Sequence, residues 1–250
     1  MTTGRAVCII SPVSASTKSR LILALDFPSV QNASAFALAC AGKVGAYKVG
    51  PVMFFGGGPQ VIDWLQENCG GGIFLDLKFH DIPNTVAGAV SRISRLNVDM
   101  FTVHSLGGEK MIKAARDTAE EGAQSLGLQR PAVIAVTVLT SHDEEEAKKL
   151  FGGADTVSTV LRLADTAEKG GADGLVCSGM EIEPLKKEFG DRFKLIVPGV
   201  RLESSPADDQ SRVVTPKEAF EKGADYIVAG RTVTQAEDPA AALREITGEG

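Results

Sequence analysis

Short apolar runs recur along the chain at 21–26, 46–50, 73–78, 100–104, 132–139, 174–178, 194–199 and 226–230. Most are continuous rather than alternating and rich in Val, Ile and Leu, the pattern of strands covered on both faces. The intervening segments carry helical patterns, and helices are expected at 34–40, 60–67, 85–96, 110–121, 157–169, 216–222 and 239–246 among them. Strand and helix alternating eight times in 250 residues predict a (β/α)8 TIM barrel, a single domain over residues 21–250. No linker-like or low-complexity segment divides it. A doubly wound open sheet would place a glycine-rich phosphate turn after its first strand, whereas here that strand ends in Asp26-Phe27-Pro28. Residues 1–20, rich in Ser and Thr, are expected to form a flexible tail before the first strand.

One of these runs does not stay apolar. Ile73, Phe74 and Leu75 read as buried strand, and Asp76 and Lys78 follow two residues apart. Side chains at i and i+2 of a strand share a face. A charge there is costly unless paired, and an Asp–Lys pair meets that need. Asp81 comes next, just before Pro83, where the chain is expected to turn into a helix.

Other polar residues fall at strand ends too: Asp26, Lys48, Thr140, Arg201 and the Gly230-Arg231 pair. In such barrels the carboxyl ends of the strands form the catalytic face. Any one of these residues could be a cap or a satisfied ion pair, but their joint placement on one mouth points to a site. Gly199 and Arg201 follow the seventh strand, and Gly230 and Arg231 the eighth, a recurrent phosphate-binding place. Glycine lets backbone N–H groups approach an anion, and guanidinium binds phosphate through two hydrogen bonds. The alternative is that these arginines make rim salt bridges with Glu203, Asp208 and Asp209. The long polar segment 202–214 between the two arginines is expected to be a lid, from which Gln210 could offer an amide to the ligand.

Composition narrows the class. The chain is 44% hydrophobic and 23% charged, ordinary for a globular protein. A formal net charge of −6 without any Lys/Arg run argues against a nucleic-acid surface. No apolar stretch approaches the roughly 20 residues of a membrane span. Cys8, Cys40, Cys69 and Cys177 are scattered, with no CxxC pair, as for reduced thiols in a cytoplasmic protein. His80, His104 and His142 lack metal-ligand spacing, and His104 is expected to be a hydrogen-bonded core residue. The glycine triplets 56–58 and 70–72 read as ordinary joints, and Trp64 as packing.

The segment Phe74–Thr85 (FLDLKFHDIPNT), together with Ala24-Leu25-Asp26, Lys48-Val49-Gly50, Val138-Leu139-Thr140-Ser141, Pro198-Gly199-Val200-Arg201 and Gly230-Arg231, closely resembles the bacterial-type orotidine 5′-phosphate decarboxylase family. The resemblance runs in order over residues 21–246. It implies that Lys78 donates a proton to C6 of the pyrimidine as carbon dioxide leaves. It sets Asp76 against the substrate carboxylate, Lys48 beside Asp76 and the ribose, and Asp26 on a ribose hydroxyl. Thr140 corresponds to a base-contacting residue, and Arg201, Gln210, Gly230 and Arg231 to phosphate-binding and lid positions. Asp81 and Thr85 match residues that reach into the neighbouring subunit's site, implying a homodimer. No cofactor is implied: without an electron sink, charge at C6 must be stabilised by a rigidly held cation, and Lys78 is one. Two rival readings are weighed against this. A magnesium-dependent sugar-phosphate decarboxylase or synthase of the same barrel group needs an acid in the second strand, where this chain has Lys48. A non-catalytic nucleotide-binding barrel would be expected to have lost a member of the Asp76–Lys78–Asp81 array.

Overall fold

The structure, a computed structural model, describes residues 16–202 and 214–248. Eight parallel strands close into a barrel in sequence order: β1 Leu21–Ala24, β2 Ala46–Val49, β3 Gly72–Phe79, β4 Met100–His104, β5 Ala132–Val136, β6 Gly174–Val176, β7 Lys194–Pro198 and β8 Tyr226–Ala229. The last pairing, β8 with β1, is parallel like the rest and removes both sheet edges. The helices are α1 Val30–Ala39, α2 Pro51–Gly57, α3 Gln60–Asn68, α4 Pro83–Ile93, α5 Gly108–Leu126, α6 Glu144–Leu150, α7 Thr156–Gly170, α8 Ile182–Phe189, α9 Pro216–Glu221, α10 Arg231–Thr234 and α11 Pro239–Thr247. The architecture is the predicted single-domain (β/α)8 barrel.

Period-2 alternation along the strands sorts the apolar residues into two cores. Leu21, Leu23, Tyr47, Ile73, Leu75, Phe101, Val133, Leu195 and Ile227 join the helix-facing core. Ile22, Ala24, Ala46, Phe74, Met100, Ile134, Ile196 and Val228 make a second cluster, which fills the barrel interior. Extended by the same alternation, the inward set reaches Asp26 after Ala24, Lys48 after Ala46, Asp76 after Phe74 and Thr102 after Met100. The interior is thus apolar at depth and polar at its carboxyl-terminal mouth.

The expected ends hold to within a few residues, with instructive exceptions. The run at 132–139 stops being strand at Val136, although Val138 remains buried. Helix α4 starts at Pro83, earlier than expected, because proline is well suited to a first helical position. Helix α5 runs past the expected 121 to Leu126 and stops where Gly127 takes a left-handed conformation with φ 64°. Of the segment read as a flexible tail, residues 1–15 lie outside the described residues, whereas Thr17–Arg20 form a 3-10 turn. Arg20 Nε donates to Asp225 O at 2.9 Å, and Arg20 also donates to Ala224 O and covers the Phe220 ring. Cys40, Cys69 and Cys177 are buried and form no disulfide among the described residues.

Candidate active site

Four charged residues at the ends of three adjacent strands, Asp26, Lys48, Asp76 and Lys78, come together. Lys48 on β2 lies between two carboxylates: its Nζ is 2.9 Å from Asp26 Oδ2 and 3.6 Å from Asp76 Oδ2. Lys78 Nζ donates to both Asp76 oxygens at 2.9 Å. Thr102 Oγ1, from β4, donates to Asp76 Oδ1 at 3.0 Å. Asp76 is 8% exposed, and its burial alone would raise its pKa; the charges of Lys48 and Lys78, with hydrogen bonds from Lys78 and Thr102, outweigh that and hold it below the usual carboxylate range. Asp26, by contrast, is half exposed at the rim. Gly50 leaves room for this arrangement, since a Cβ there would lie 2.8 Å from Asp26 Oδ1.

The Asp76–Lys78 pair does not arise from regular strand geometry, as the sequence suggested. Leu75 pairs with Phe101 and Phe79 with Val103, so β3 bulges between these pairs. Within the bulge Lys78 takes φ 49°, a left-handed conformation rare for a residue with a side chain. Such conformations cost of order 1–3 kcal/mol and concentrate at functional sites. Lys78 N–H donates to Thr102 Oγ1 at 2.8 Å. The bulge therefore re-aims the lysine, with Thr102 holding the main chain.

The charged residues of the array open onto a cavity of about 640 Å³ at the carboxyl ends of the strands, within the range of small-molecule and cofactor pockets. Asp26, Lys48, Asp76 and Lys78 form one side; Thr140 follows β5; Arg201, Gly230 and Arg231 line the other side. Arg201 is fixed where the chain after β7 meets its return: Val200 bridges Val214, and Arg201 N–H donates to Val214 O at 3.1 Å. Thr232 Oγ1 donates to Val200 O at 2.9 Å, tying α10 to the same stem. Gln210 and the acids Glu203, Asp208 and Asp209 lie outside the described residues.

Asp81 and Thr85 stand apart from this group. Both are exposed and neither lines the cavity; Asp81 Oδ1 accepts from Ile82 N–H at 2.6 Å. Between them Ile82 is 66% exposed, an apolar side chain turned to solvent beside two polar ones. Within one chain Lys78 pairs with Asp76, and Asp81 makes no ion pair with it among the described residues.

Thr102 is a site residue that no motif in the sequence singles out. It shares its inward parity with Met100 and His104, but its full burial and its place opposite the bulge in β3 come only with the folded barrel. His104 stacks on His80 with ring centroids 5.4 Å apart, and its Nδ1 accepts from Leu106 N–H at 3.3 Å. Burial, with smaller contributions from the charges of His80 and Lys78, lowers its pKa to about 4.

A sequence profile of the "Orotidine 5'-phosphate decarboxylase / HUMPS family" matches residues 19–246. The chain belongs to this family. It is 45% identical over 227 residues to a protein of Bacillus cereus (strain AH187) named orotidine 5′-phosphate decarboxylase, covering 90% of this chain and 94% of that one. A protein of the same name from Bacillus cytotoxicus is likewise 45% identical over 227 residues, with the same 90% and 94% coverage. Among solved structures, orotidine 5′-phosphate decarboxylase from Lactobacillus acidophilus superposes with TM-score 0.78 at 38% identity, covering 92% of this chain and 97% of the other. An uncharacterized conserved protein from Geobacillus kaustophilus gives TM-score 0.77 at 38% identity, with 92% and 99% coverage.

Proposed function

We infer that this family member decarboxylates orotidine 5′-monophosphate to UMP in pyrimidine biosynthesis, without a cofactor, with Lys78 as the proton donor to C6. The observation that carries the reading is the Lys48–Asp76–Lys78 array: one buried carboxylate between two ammonium groups on the wall of the cavity. Loss of carbon dioxide leaves an electron pair at C6 in an orbital that cannot delocalise into the ring. A preorganised cation stabilises that charge, and the Lys78 ammonium then transfers a proton to the carbon. Atoms balance without a redox partner: the C6–carboxylate bond breaks, a C6–H bond forms, and the lysine recovers its proton from solvent.

Asp76 faces the substrate's carboxylate and orients both lysines, while Lys48 and Asp26 meet the ribose hydroxyls. Thr140 contacts the base. Arg201, Gln210, Gly230 and Arg231 receive the phosphate, whose binding energy is remote from the reacting carbon and available to hold the site closed. The exposure of Asp81, Ile82 and Thr85 together supports a homodimer in which Asp81 and Thr85 complete the neighbouring subunit's site. Among the described residues no helix is long and apolar enough to cross a membrane, in keeping with a cytoplasmic enzyme.

The magnesium-dependent alternative meets a charge problem: the ammonium groups of Lys48 and Lys78 both bond Asp76, which disfavours a divalent cation at that carboxylate. The test is the purified chain with orotidine 5′-monophosphate, followed by the pyrimidine absorbance change and by UMP formed, with and without EDTA. Equal turnover in both supports the reading; no turnover without added magnesium sinks it. Mixing Lys78→Ala and Asp81→Ala preparations tests the shared site. Activity regained on mixing supports it, and activity no greater than the sum of the two preparations contradicts it.

A further inference from the structure

The bulge in β3 gives one side chain of β4 two tasks. Between the Leu75–Phe101 and Phe79–Val103 pairs, residues 76–78 of β3 lie opposite Thr102 alone. Thr102 is 0% exposed, so its hydroxyl has no access to bulk water. It accepts the Lys78 N–H at 2.8 Å and sits 3.0 Å from Asp76 Oδ1. The direction of both bonds is fixed by chemistry. An ionised carboxylate can only accept, and a main-chain N–H can only donate, so the Thr102 hydrogen points to Asp76 and its lone pair to Lys78.

We propose that Thr102 is the positioning residue of the catalytic pair: its single hydroxyl locks the Asp76 carboxylate and the Lys78 main chain in the reactive arrangement. The inference rests on the reading of Lys78 as the proton donor. Lys78 reaches Asp76 from a left-handed backbone position that must be held by its surroundings. Thr102 supplies that hold, and it couples it to the carboxylate against which the ammonium is aimed. A valine in its place keeps the shape but leaves a buried N–H and a carboxylate oxygen each short of one hydrogen bond. The bulge can then relax, and the ammonium drifts from the line along which it meets C6. Misplacement of that kind harms the chemical step more than substrate binding, because the phosphate-side residues Arg201, Gly230 and Arg231 line the other side of the cavity.

The experiment compares Thr102→Val, Thr102→Ser and Lys78→Ala with the unaltered protein, measuring kcat and KM for orotidine 5′-monophosphate and UMP affinity by calorimetry. Thr102→Val is expected to lose about 100-fold in kcat, with KM and UMP affinity changed by no more than about threefold. Thr102→Ser restores the hydroxyl and is expected to recover most of the lost turnover. If Thr102→Val does not fold, Thr102→Ala removes the same hydroxyl without placing a methyl against Asp76 and is read in the same assays. A hydroxyl-free variant with kcat within about twofold of the original, against a Lys78→Ala variant that is inactive, overturns the role of Thr102 alone. So does a serine variant as impaired as the valine one, or a loss confined to KM. A Lys78→Ala variant that turns over normally overturns the reading of Lys78, and this proposal with it.

Discussion

Aspartates stand at both ends of this barrel, and they are used in opposite ways. At the amino-terminal end, Asp99, Asp173 and Asp225 immediately precede β4, β6 and β8 and reach back to the strand before. Asp99 accepts from Ile73 N–H at 2.7 Å, Asp173 from Val133 N–H at 2.8 Å, and Asp225 from Leu195 N–H at 3.0 Å. Each is preceded, two residues earlier, by a left-handed residue that ends the incoming helical segment: Asn97 (φ 48°), Gly171 (φ 80°) and Gly223 (φ 107°). Asp173 also takes both guanidinium nitrogens of Arg130, at 2.7 and 2.8 Å. Asp225 likewise takes cations, Lys194 Nζ at 3.0 Å and Lys186 Nζ at 3.6 Å, but in all three aspartates a main-chain bond to the preceding strand sets the geometry. At the carboxyl end, Asp26 and Asp76 bind side-chain ammonium groups on the wall of an open cavity. The same residue type therefore fastens strands where a backbone N–H is among its partners, and holds ammonium groups on a cavity wall where its partners are Lys48 and Lys78. In barrels of this class the first end governs stability and the second chemistry.

Substitutions at the two ends should separate those roles. Asp76→Asn removes the charge that holds Lys48 and Lys78 while keeping the shape. It should lower kcat by about 10³-fold or more, with the fold intact by circular dichroism. Wild-type turnover in that variant would erase the distinction between the two ends. Asp173→Ala should do the reverse. It leaves the half-buried Arg130 without its bidentate partner and Val133 N–H unmet, a loss of about 2–4 kcal/mol in unfolding free energy. Turnover of the folded fraction should stay within about twofold; a large kinetic defect with unchanged stability would contradict the assignment.

A smaller effect probes the carboxyl end through pH. Burial above all, then the charges of His80 and Lys78, holds His104 near a pKa of about 4 in the folded chain, against roughly 6.5 in the unfolded one. Between those values a falling pH protonates only the unfolded state, so the contribution of His104 to stability is present above about 6.5 and is lost as pH falls towards about 4. Allowing for solvent screening of a partly exposed ring, the unaltered protein should lose about 1–2 kcal/mol relative to His104→Gln across that window, read from chemical denaturation at each pH. Parallel stability curves for the two proteins would show that His104 titrates normally.

Much of the carboxyl end was legible because one rule covers it. Inward strand positions alternate, and Asp26, Lys48 and Asp76 each follow an inward apolar residue by two. Continuous Val/Ile/Leu runs gave the barrel for the same reason, as strands buried on both faces need no polar side. What the sequence hid depends on pairing between strands. The bulge in β3 exists only relative to β4, so neither the left-handed Lys78 nor the role of Thr102 could be read from local pattern. The amino-end clamps are similar: Asp99, Asp173 and Asp225 are visible as acids after helical segments, but their N–H partners become neighbours only when the barrel forms. The exposure of Asp81 and Thr85 likewise emerges only from the folded chain, since polar residues beside Pro83 would suit a helix cap equally well.

The central claim is that Lys78 delivers the proton that replaces the departing carboxylate. The most direct measurement is turnover of orotidine 5′-monophosphate by Lys78→Ala at saturating substrate, beside a calorimetric titration of the same protein with UMP. The expected result is a loss of turnover of about 10⁴-fold or more, with UMP affinity reduced by no more than about tenfold. Turnover close to that of the unaltered protein would contradict the account, and so would loss of UMP binding on the same scale as the loss of turnover.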